Sequence, residues 1–465
     1  MSKQLNILDR SIPARTLIFS LVLPSFIEEF MQILTMYVDT AMVGHISVNA
    51  AAAVALNNPI VNLTNGFNYG LALGFSVMIA RLIGENNMEE AGNVIRNAMF
   101  HVLWFGSLLV VLYVFIVSPN YIHWMKADPE IWEESSGYLR ILGYSRICLV
   151  MLSCCCNLMR GMGDTKHPMV CNVTHNVVNL VFNYILIYPT RTVVLFGSSF
   201  TMYGAGKGVL GAAMGTSIAN LCSALLSLYY VFRRTNTVHV PFRGCWVPHR
   251  QQLSRIYILG FPIALERLVI NSGQVVTTRM LTSLGTNVLS AHNIANTAES
   301  MCYMPVNGFG VAATTLVAQW LGAGDQHRAV ELGNKCIKYA CVTMAVCATT
   351  MFIFAKQIIG ILIPDPTVIM MASGALRIQA CAEICVAIAM TTGGILRGAG
   401  DTNFSSIMAI AGMWCVRVPL AVILIYGFHF GLNGVWLPMA LDWVVRSILT
   451  TIRFKRGNWK KAWRG

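Results

Sequence analysis

The stretch R-G-M-G-D-T at residues 160–165 returns as R-G-A-G-D-T at residues 397–402. The two copies lie 237 residues apart, the difference between 397 and 160, in a chain of 465. Three more matches keep the same register to within one residue: Asp128-Pro129 with Asp365-Pro366, S-G-x-L-R-I at 136–141 with 373–378, and Pro24-x-x-x-Glu28 with Pro262-x-x-x-Glu266. Matches in one register across half the chain indicate a duplicated unit.

The amino-acid composition indicates that this is a membrane protein. The chain is 55% hydrophobic and 11% charged, with a mean hydropathy of +0.60. Because a soluble surface needs about a quarter charged residues, a soluble enzyme is nearly excluded. The net charge is +13. Basic residues gather in alternate loops, which is the positive-inside pattern of a membrane protein and not a nucleic-acid surface.

Apolar segments recur along the whole chain. They lie near 15–40, 51–80, 94–118, 133–158, 167–188, 207–231, 253–279, 289–320, 331–354, 370–397, 403–426 and 431–454. An open sheet cannot satisfy its backbone in lipid, so these segments predict an all-α integral membrane protein with twelve transmembrane helices in two six-helix bundles. An even number of spans per copy gives a pseudo-twofold axis along the membrane normal.

The repeat also predicts the domain organisation. We expect one bundle at residues 1–231, a basic cytoplasmic linker at 232–252 and a second bundle with a basic tail at 253–465. Both termini are expected in the cytoplasm of a cell that carries the protein in its inner or plasma membrane. We expect the basic segment at residues 1–15 to be a cytoplasmic tail before the first span and not a cleavable targeting peptide. We expect a monomer among membrane lipids, without a cofactor and without a nucleic-acid partner.

One face of helix 1 is polar within the membrane. Glu28, Gln32, Thr35 and Asp39 follow the spacing i, i+4, i+7 and i+11, which keeps them on one side of a helix. The second copy has Glu266, Ile270, Gly273 and Thr277 at these positions. An ionised Asp39 in lipid costs several kcal/mol, so it needs oxygen-rich neighbours or a bound cation.

Helix 5 carries a matching stripe of carboxamides. Its members are Asn172, Asn176, Asn179 and Asn183, and their counterparts are Ala409, Met413, Val416 and Leu420. The fold therefore does not require the stripe. It either contributes to a site or joins helices through hydrogen bonds.

Polar residues on helix 7 give the second bundle its own candidates. Glu266, with Asn271 and Gln274, would suit a positively charged ligand in a cleft between the bundles. The alternative is a structural ion pair of Glu266 with Arg267 or Arg279. With Glu28, Gln32 and Thr35 on helix 1, these residues make the predicted substrate-binding set.

The segment Y-V-D-T-A-M-V-G at 37–44, the twin R-G-x-G-D-T loops and Arg417-Val418-Pro419 on helix 11 together resemble the multidrug and toxic compound extrusion (MATE) family. The resemblance covers nearly the whole chain. It implies a cation-driven antiporter that exports amphipathic, often cationic compounds in exchange for H+ or Na+ by alternating access, and not an enzyme.

The resemblance also assigns residues to the coupling of the driving ion. It implies that Asp39 is the coupling acid, with Asn179 on helix 5 and Thr216 of the G-A-A-M-G-T segment as partners. Asn183 departs from the family, since many relatives have an aspartate there, and this puts strong sodium binding in doubt. The set Asp39, Asn179, Asn183 and Thr216 is therefore predicted to bind the coupling ion, H+ or Na+.

Two other functions stay open at this point. A lipid-linked precursor flippase shares the wider superfold, although a flippase of anionic pyrophosphate lipids should line its cavity with arginine. An intramembrane enzyme would need a catalytic pair, and the sequence offers none.

Overall fold

Twelve helices account for most of this computed structural model, which describes residues 7–125, 128–195, 198–233, 238 and 246–463. Helices 1 to 6 are Ala14–Gly44, Val48–Gly84, Met88–Trp124, Pro129–Tyr144 with Arg146–Gly161, Lys166–Ile187 and Gly208–Arg233. Helices 7 to 12 are Arg250–Thr282, Thr286–Gly322, Gln326–Leu362, Pro366–Gly398, Thr402–Gly427 and Asn433–Arg456. The predicted all-α fold with two sets of six helices is confirmed. Most of the predicted linker lies outside the described residues.

Ten of these helices are long and apolar enough to cross a membrane, and helix 4 adds an eleventh as two segments bent by 49°. Helix 7 is not among them. It carries four charged residues within the predicted span: Arg255, Glu266, Arg267 and Arg279. Large apolar side chains lie on the outer surface, such as Phe115 (69% exposed) and Ile361 (84%), as expected for a surface that faces lipid.

The duplicated motif forms the same turn twice. Gly163 and Gly400 both have φ of +85°, a conformation that glycine adopts without strain. The Asp164 amide donates to Met159 O and the Asp401 amide to Leu396 O, both at 2.9 Å. These bonds satisfy carbonyls at the ends of helices 4 and 10, so the motif is a helix-ending turn.

The other repeated dipeptide begins a helix. The Asp365 carboxylate accepts from the amides of Thr367 and Val368 at 2.8 and 3.3 Å. Asp128 accepts from the Glu130 amide at 3.1 Å. An aspartate at the N-cap followed by proline in the first turn favours helix formation in both copies.

One element was not predicted. Strands β1 (Pro189–Leu195) and β2 (Ser198–Ala205) form an antiparallel hairpin between helices 5 and 6. The first strand carries Thr190, Thr192, Val193 and Val194, and β-branched residues favour strands. We call this side of the molecule the hairpin end, and the side with residues 161–165 and 398–402 the R-G-x-G-D-T end.

The two bundles, or lobes, meet along helices 1, 2, 7 and 8, where helix 2 packs against helices 7 and 8 and helix 1 against helix 8. Glycine allows the close approach. A Cβ built on Gly84 of helix 2 would lie 2.9 Å from the Cα of Gly322 on helix 8, and one on Gly74 would lie 2.6 Å from Ile256 O on helix 7. These crossings bring the lobes together at the R-G-x-G-D-T end.

Candidate functional site

Asp39 and the helix 5 asparagines form a polar cluster inside the first lobe. The Asn183 carboxamide donates to Asp39 Oδ1 at 2.9 Å and to Asn179 Oδ1 at 3.2 Å. Asn179 in turn donates to Thr216 Oγ1 on helix 6 at 3.0 Å. Three helices therefore bring together all four residues of the predicted coupling set, which we call the Asp39 cluster.

The Asn179 carboxamide fits the cluster in a second orientation. With its oxygen and nitrogen exchanged, it donates to the two carboxylate oxygens of Asp39 at 3.0 and 2.9 Å and accepts from Thr216 Oγ1 at 3.0 Å. This orientation gives the Asp39 carboxylate two more hydrogen bonds. In either orientation, Asp39 has neutral carboxamide donors as neighbours and no second acid in the cluster.

The cluster also offers an oxygen without a partner. Asn183 is 1% exposed, and its Oδ1 has no hydrogen-bond partner among the described residues. A buried acceptor without a donor is costly, whereas a cation would satisfy it. One carboxylate, two carboxamides and a hydroxyl are ligands of the kind that a hard cation takes, so the residues present fit either Na+ or a proton on Asp39.

Glycine at position 215 makes room for the cluster. A Cβ built there would overlap Asn183 Oδ1 and would lie 3.0 Å from the Asn183 amide nitrogen. Helix 6 can thus lie directly against helix 5. The Tyr188 hydroxyl donates to Met42 O at 3.0 Å and ties the end of helix 1 to the end of helix 5.

A cavity of about 500 Å³ lies between the lobes. Its walls come from helices 1, 2, 4 and 5 on one side and helices 7, 8 and 10 on the other. Five charged residues line it: Glu28, Glu29, Arg160, Arg267 and Arg397. Two acids against three arginines give this lining a formal charge of +1.

The acid Glu28 is already paired. It is 9% exposed and forms an ion pair with Arg160 of the R-G-M-G-D-T motif. The Asn172 carboxamide donates to the same carboxylate at 2.9 Å. Because the pair is buried and hydrogen-bonded, removal of either partner would leave an uncompensated charge. Glu28 therefore lines the cavity without a free carboxylate.

Only one of the other predicted substrate-binding residues lines the cavity. Gln32 lines the cavity with Glu28, whereas Thr35, Glu266, Asn271 and Gln274 are not in the lining. The Thr35 hydroxyl donates to Met31 O within helix 1 at 2.9 Å.

Glu266 is 7% exposed and accepts from Ser406 Oγ on helix 11 at 2.8 Å. Neither Arg267 nor Arg279 pairs with it in the described chain. Contact of this acid with a substrate stays a prediction.

Of the five charged residues in the lining, only Glu28 was predicted as a site residue, and four were missed: Glu29, Arg160, Arg267 and Arg397. Glu29 follows Glu28 directly and so falls outside a stripe counted at helical spacing. A signal existed for Arg397, since it is the repeat counterpart of Arg160 and occurs in the motif itself.

A second buried polar group lies in the other lobe. The Tyr303 hydroxyl donates to Glu299 Oε1 at 2.6 Å and lies 3.2 Å from the Gln379 amide nitrogen, which donates to it. Glu383 is fully buried, and its two carboxylate oxygens have no hydrogen-bond partner among the described residues. The sequence predicted neither acid as a site residue.

The chain matches a family model twice. The model described as MatE covers residues 24–185 and 262–423, so the second match begins 238 residues after the first. This offset agrees with the repeat found in the sequence.

Relatives extend over almost the whole chain. The Thermotoga maritima protein named "Probable multidrug resistance protein NorM" is 27% identical, with 96% of this chain and 93% of that protein covered. Multidrug resistance protein MdtK of Yersinia enterocolitica is 25% identical, with 96% of this chain and 95% of that protein covered.

A solved MATE structure in complex with MaL6 has a TM-score of 0.88 at 23% identity, covering 99% of this chain and 100% of that one. A structure described as the outward-facing conformation of a multidrug resistance MATE family transporter has a TM-score of 0.87 at 23% identity, covering 99% of each chain.

Proposed function

We propose that this chain, which belongs to the MatE family of transporters, is a secondary active multidrug efflux antiporter. It exports amphipathic, often cationic compounds in exchange for H+ or Na+. The compound binds in the cavity between the lobes, and the driving cation binds at the Asp39 cluster. Relatives that carry the names of multidrug resistance proteins support the export of drug-like compounds.

The observation that carries this proposal is the Asp39 cluster itself. A single acid with neutral oxygen ligands changes its net charge by one when it takes a proton or Na+. In a medium of low dielectric such a change alters the energies of the surrounding contacts strongly. The Asn183 and Asn179 bonds to Asp39 would reorganise when the cation binds.

Helix 1 provides the physical link between the two sites. Glu28 and Gln32 line the cavity, and Asp39 lies seven residues beyond Gln32 on the same helix. At a rise of about 1.5 Å per residue, roughly 10 Å separates the coupling acid from the cavity wall. A shift of helix 1 on cation binding would therefore reach the substrate directly.

The lobes are joined at the R-G-x-G-D-T end, as one state of an alternating-access cycle requires. The Thr315 hydroxyl donates to Arg160 O at 3.0 Å, and the Gln319 carboxamide donates to Gly161 O at 2.9 Å. Arg10 pairs with Asp325 at 2.6 Å across the lobes. We place this end in the cytoplasm because Arg453, Lys455 and Arg456 end helix 12 there, which makes this the outward-facing state.

The flippase alternative is less well supported. Three arginines line the cavity, but Arg160 is paired with Glu28, and Glu29 contributes a second acid. A site for an anionic pyrophosphate lipid would carry a larger positive excess. The two relatives are named multidrug resistance proteins, which does not favour this alternative either.

Proteoliposomes test the proposed antiport directly. Purified protein is reconstituted with a fluorescent amphipathic cation, and a pH gradient or a sodium gradient is imposed separately. We expect one of the gradients to drive transport of the compound against its own gradient. Transport that stays equilibrative under both gradients would contradict the proposed function.

A further inference from the structure

The duplicated acid–arginine pair is formed in one lobe and open in the other. In the first lobe, Glu28 of helix 1 pairs with Arg160 at the end of helix 4. The repeat maps these residues to Glu266 and Arg397. If the lobes were equivalent, Glu266 would pair with Arg397.

That second pair does not exist within the described part of the chain. Glu266 instead accepts from the Ser406 hydroxyl at 2.8 Å. The first lobe has Met169 at the position of Ser406, and its acid Glu28 accepts from the Asn172 carboxamide instead. In the described part of the chain, Glu266 therefore has a hydroxyl partner on helix 11 and forms no ion pair with Arg397.

Arg397 is left with its charge unbalanced and lines the cavity. Its only described hydrogen bond is from Nε to Gly393 O at 3.2 Å, within its own helix. Met390, Gly394 and Arg397 follow the spacing of one helical face, and all three line the cavity wall. The rest of its guanidinium donors are available to a ligand.

Arg267 contributes a second guanidinium to the same lobe. It lines the cavity, has no acidic partner within 4.0 Å in the described chain, and lies 5.5 Å from the centre of the Tyr69 ring. On the opposite wall, Glu29 is the one acid of the lining that has no ion pair in the described chain. The free charges of the cavity are therefore two arginines on one lobe and one acid on the other.

We propose that Arg397 binds an anionic group of the transported compound and that Arg267 adds a second positive charge to the same lobe, so that the cavity selects amphipathic compounds that carry a carboxylate or a similar anion. A guanidinium binds a carboxylate with two parallel hydrogen bonds, and such charge-assisted bonds are strong away from water. Glu29 faces the same space and receives a cationic group where the compound has one. This inference rests on the proposed export function, since it identifies the substrate class of the same cavity.

Binding measurements with a matched pair of dyes test the proposal. The pair is a cationic rhodamine ethyl ester and its free acid, which share one ring system and differ in the charge of one carboxyl group. Equilibrium binding to purified full-length protein in nanodiscs is read by fluorescence anisotropy without any gradient. We expect the free acid to bind more tightly than the ester.

Variants identify the residues responsible. Arg397→Gln should weaken the free acid by about tenfold or more and the ester by less than about threefold, because a hydrogen bond to a charged group is lost. Arg397→Lys should restore part of the preference, since it keeps the charge without the planar fork. Arg140→Gln is the matched control, because Arg140 is exposed on helix 4 outside the cavity. If Arg397→Gln does not fold, Arg267→Gln and Arg397→Lys still carry the test.

Three outcomes would overturn the proposal. The first is equal affinity of the wild-type protein for the two dyes, and the second is an equal loss of both in Arg397→Gln. The third is a marked gain in free-acid binding in Glu266→Gln, which would show that Glu266 pairs with Arg397 in the binding state. Because no gradient is used, a failure of coupled transport leaves the dye preference intact, and the two proposals can fail separately.

Discussion

At position 215 the absence of a side chain determines whether Asn183 can reach Asp39. A Cβ on Gly215 would overlap Asn183 Oδ1, so Gly215→Ala should push the carboxamide away from the carboxylate that it contacts at 2.9 Å. This hydrogen bond stabilises the cation-free carboxylate, and the loss of a hydrogen bond to a charged group costs about 1.5–3 kcal/mol, so with H+ as the driving ion the H+ concentration for half-maximal efflux should fall about tenfold or more. Efflux from proteoliposomes over a cation titration measures this.

The double variant provides the control for that prediction. If the effect of Gly215→Ala arises from its contact with Asn183, then adding it to Asn183→Ala should cause little further change in the half-maximal cation concentration. Additive changes would mean that Gly215→Ala perturbs the cluster by another route.

Individual residues also show how far sequence reasoning reached. Helical spacing predicted one polar stripe on helix 1 and another on helix 5, and the family resemblance, not the spacing, grouped Asp39 with Asn179 and Asn183. Spacing within one helix cannot show which partner a side chain selects. Glu266 accepts from Ser406, and Arg397 faces the cavity, because of contacts between distant helices.

At the scale of the element, the crossing of helices 2 and 8 depends on two glycines. Gly84→Ala would place a Cβ that overlaps Gln319 O on helix 8 and lies 2.9 Å from the Cα of Gly322, a contact that the helices relieve only by separating. Overpacking of this kind costs about 1–3 kcal/mol, so the thermal unfolding temperature in detergent should fall.

Gly374→Ala on helix 10 is the matched control for the helix crossing. A Cβ there would meet no atom within 4 Å, and alanine favours a helix by about 1 kcal/mol over glycine. Its unfolding temperature should be equal to that of the wild type or slightly higher. A similar decrease in both variants would disprove the specific role of the crossing.

Helices were the elements that the sequence predicted well, because long apolar runs leave the backbone no alternative in lipid. Their irregularities were not predicted. Helix 3 widens to a π-helix at Leu112–Val117 just before Pro119, and helix 11 does so at Gly412–Arg417 before Pro419. Proline lacks the amide for a regular helical bond, but its sequence position does not show whether the helix bends or widens.

At the scale of the whole molecule, the contact between lobes at the R-G-x-G-D-T end determines which side of the cavity is open. Gln319→Ala combined with Thr315→Val removes the hydrogen bonds to Gly161 O and Arg160 O. Each such bond is worth about 1 kcal/mol, so the pair should shift the equilibrium towards separation of this end by roughly tenfold or more.

Spin labels measure that shift. Double electron–electron resonance between labels at Glu89 and Gln326, which are exposed on opposite lobes, should show a longer-distance population in the double variant. Thr349→Val is the control, because the Thr349 hydroxyl donates only to Ala345 O within helix 9. Unchanged distances in the double variant would mean that other contacts hold this end closed.

The two-lobe plan followed from the duplication, because matches in one register fix where the second unit begins. The duplication did not predict which end of the cavity is closed. Two copies of one unit can be arranged so that either end of the cavity is closed. Contacts between distant residues, such as Gln319 with Gly161, determine which end is closed, and no local sequence pattern predicts them.

Asp39→Asn tests the central claim most directly, because it removes the one charge of the coupling cluster and keeps the size of the side chain. The measurement compares uphill transport of a fluorescent amphipathic compound by wild-type and variant proteoliposomes under the gradient that drives the wild type. We predict that the variant folds and binds the compound but lets it only equilibrate across the membrane. Accumulation of the compound by Asp39→Asn to the wild-type level would contradict the assignment of cation coupling to this residue.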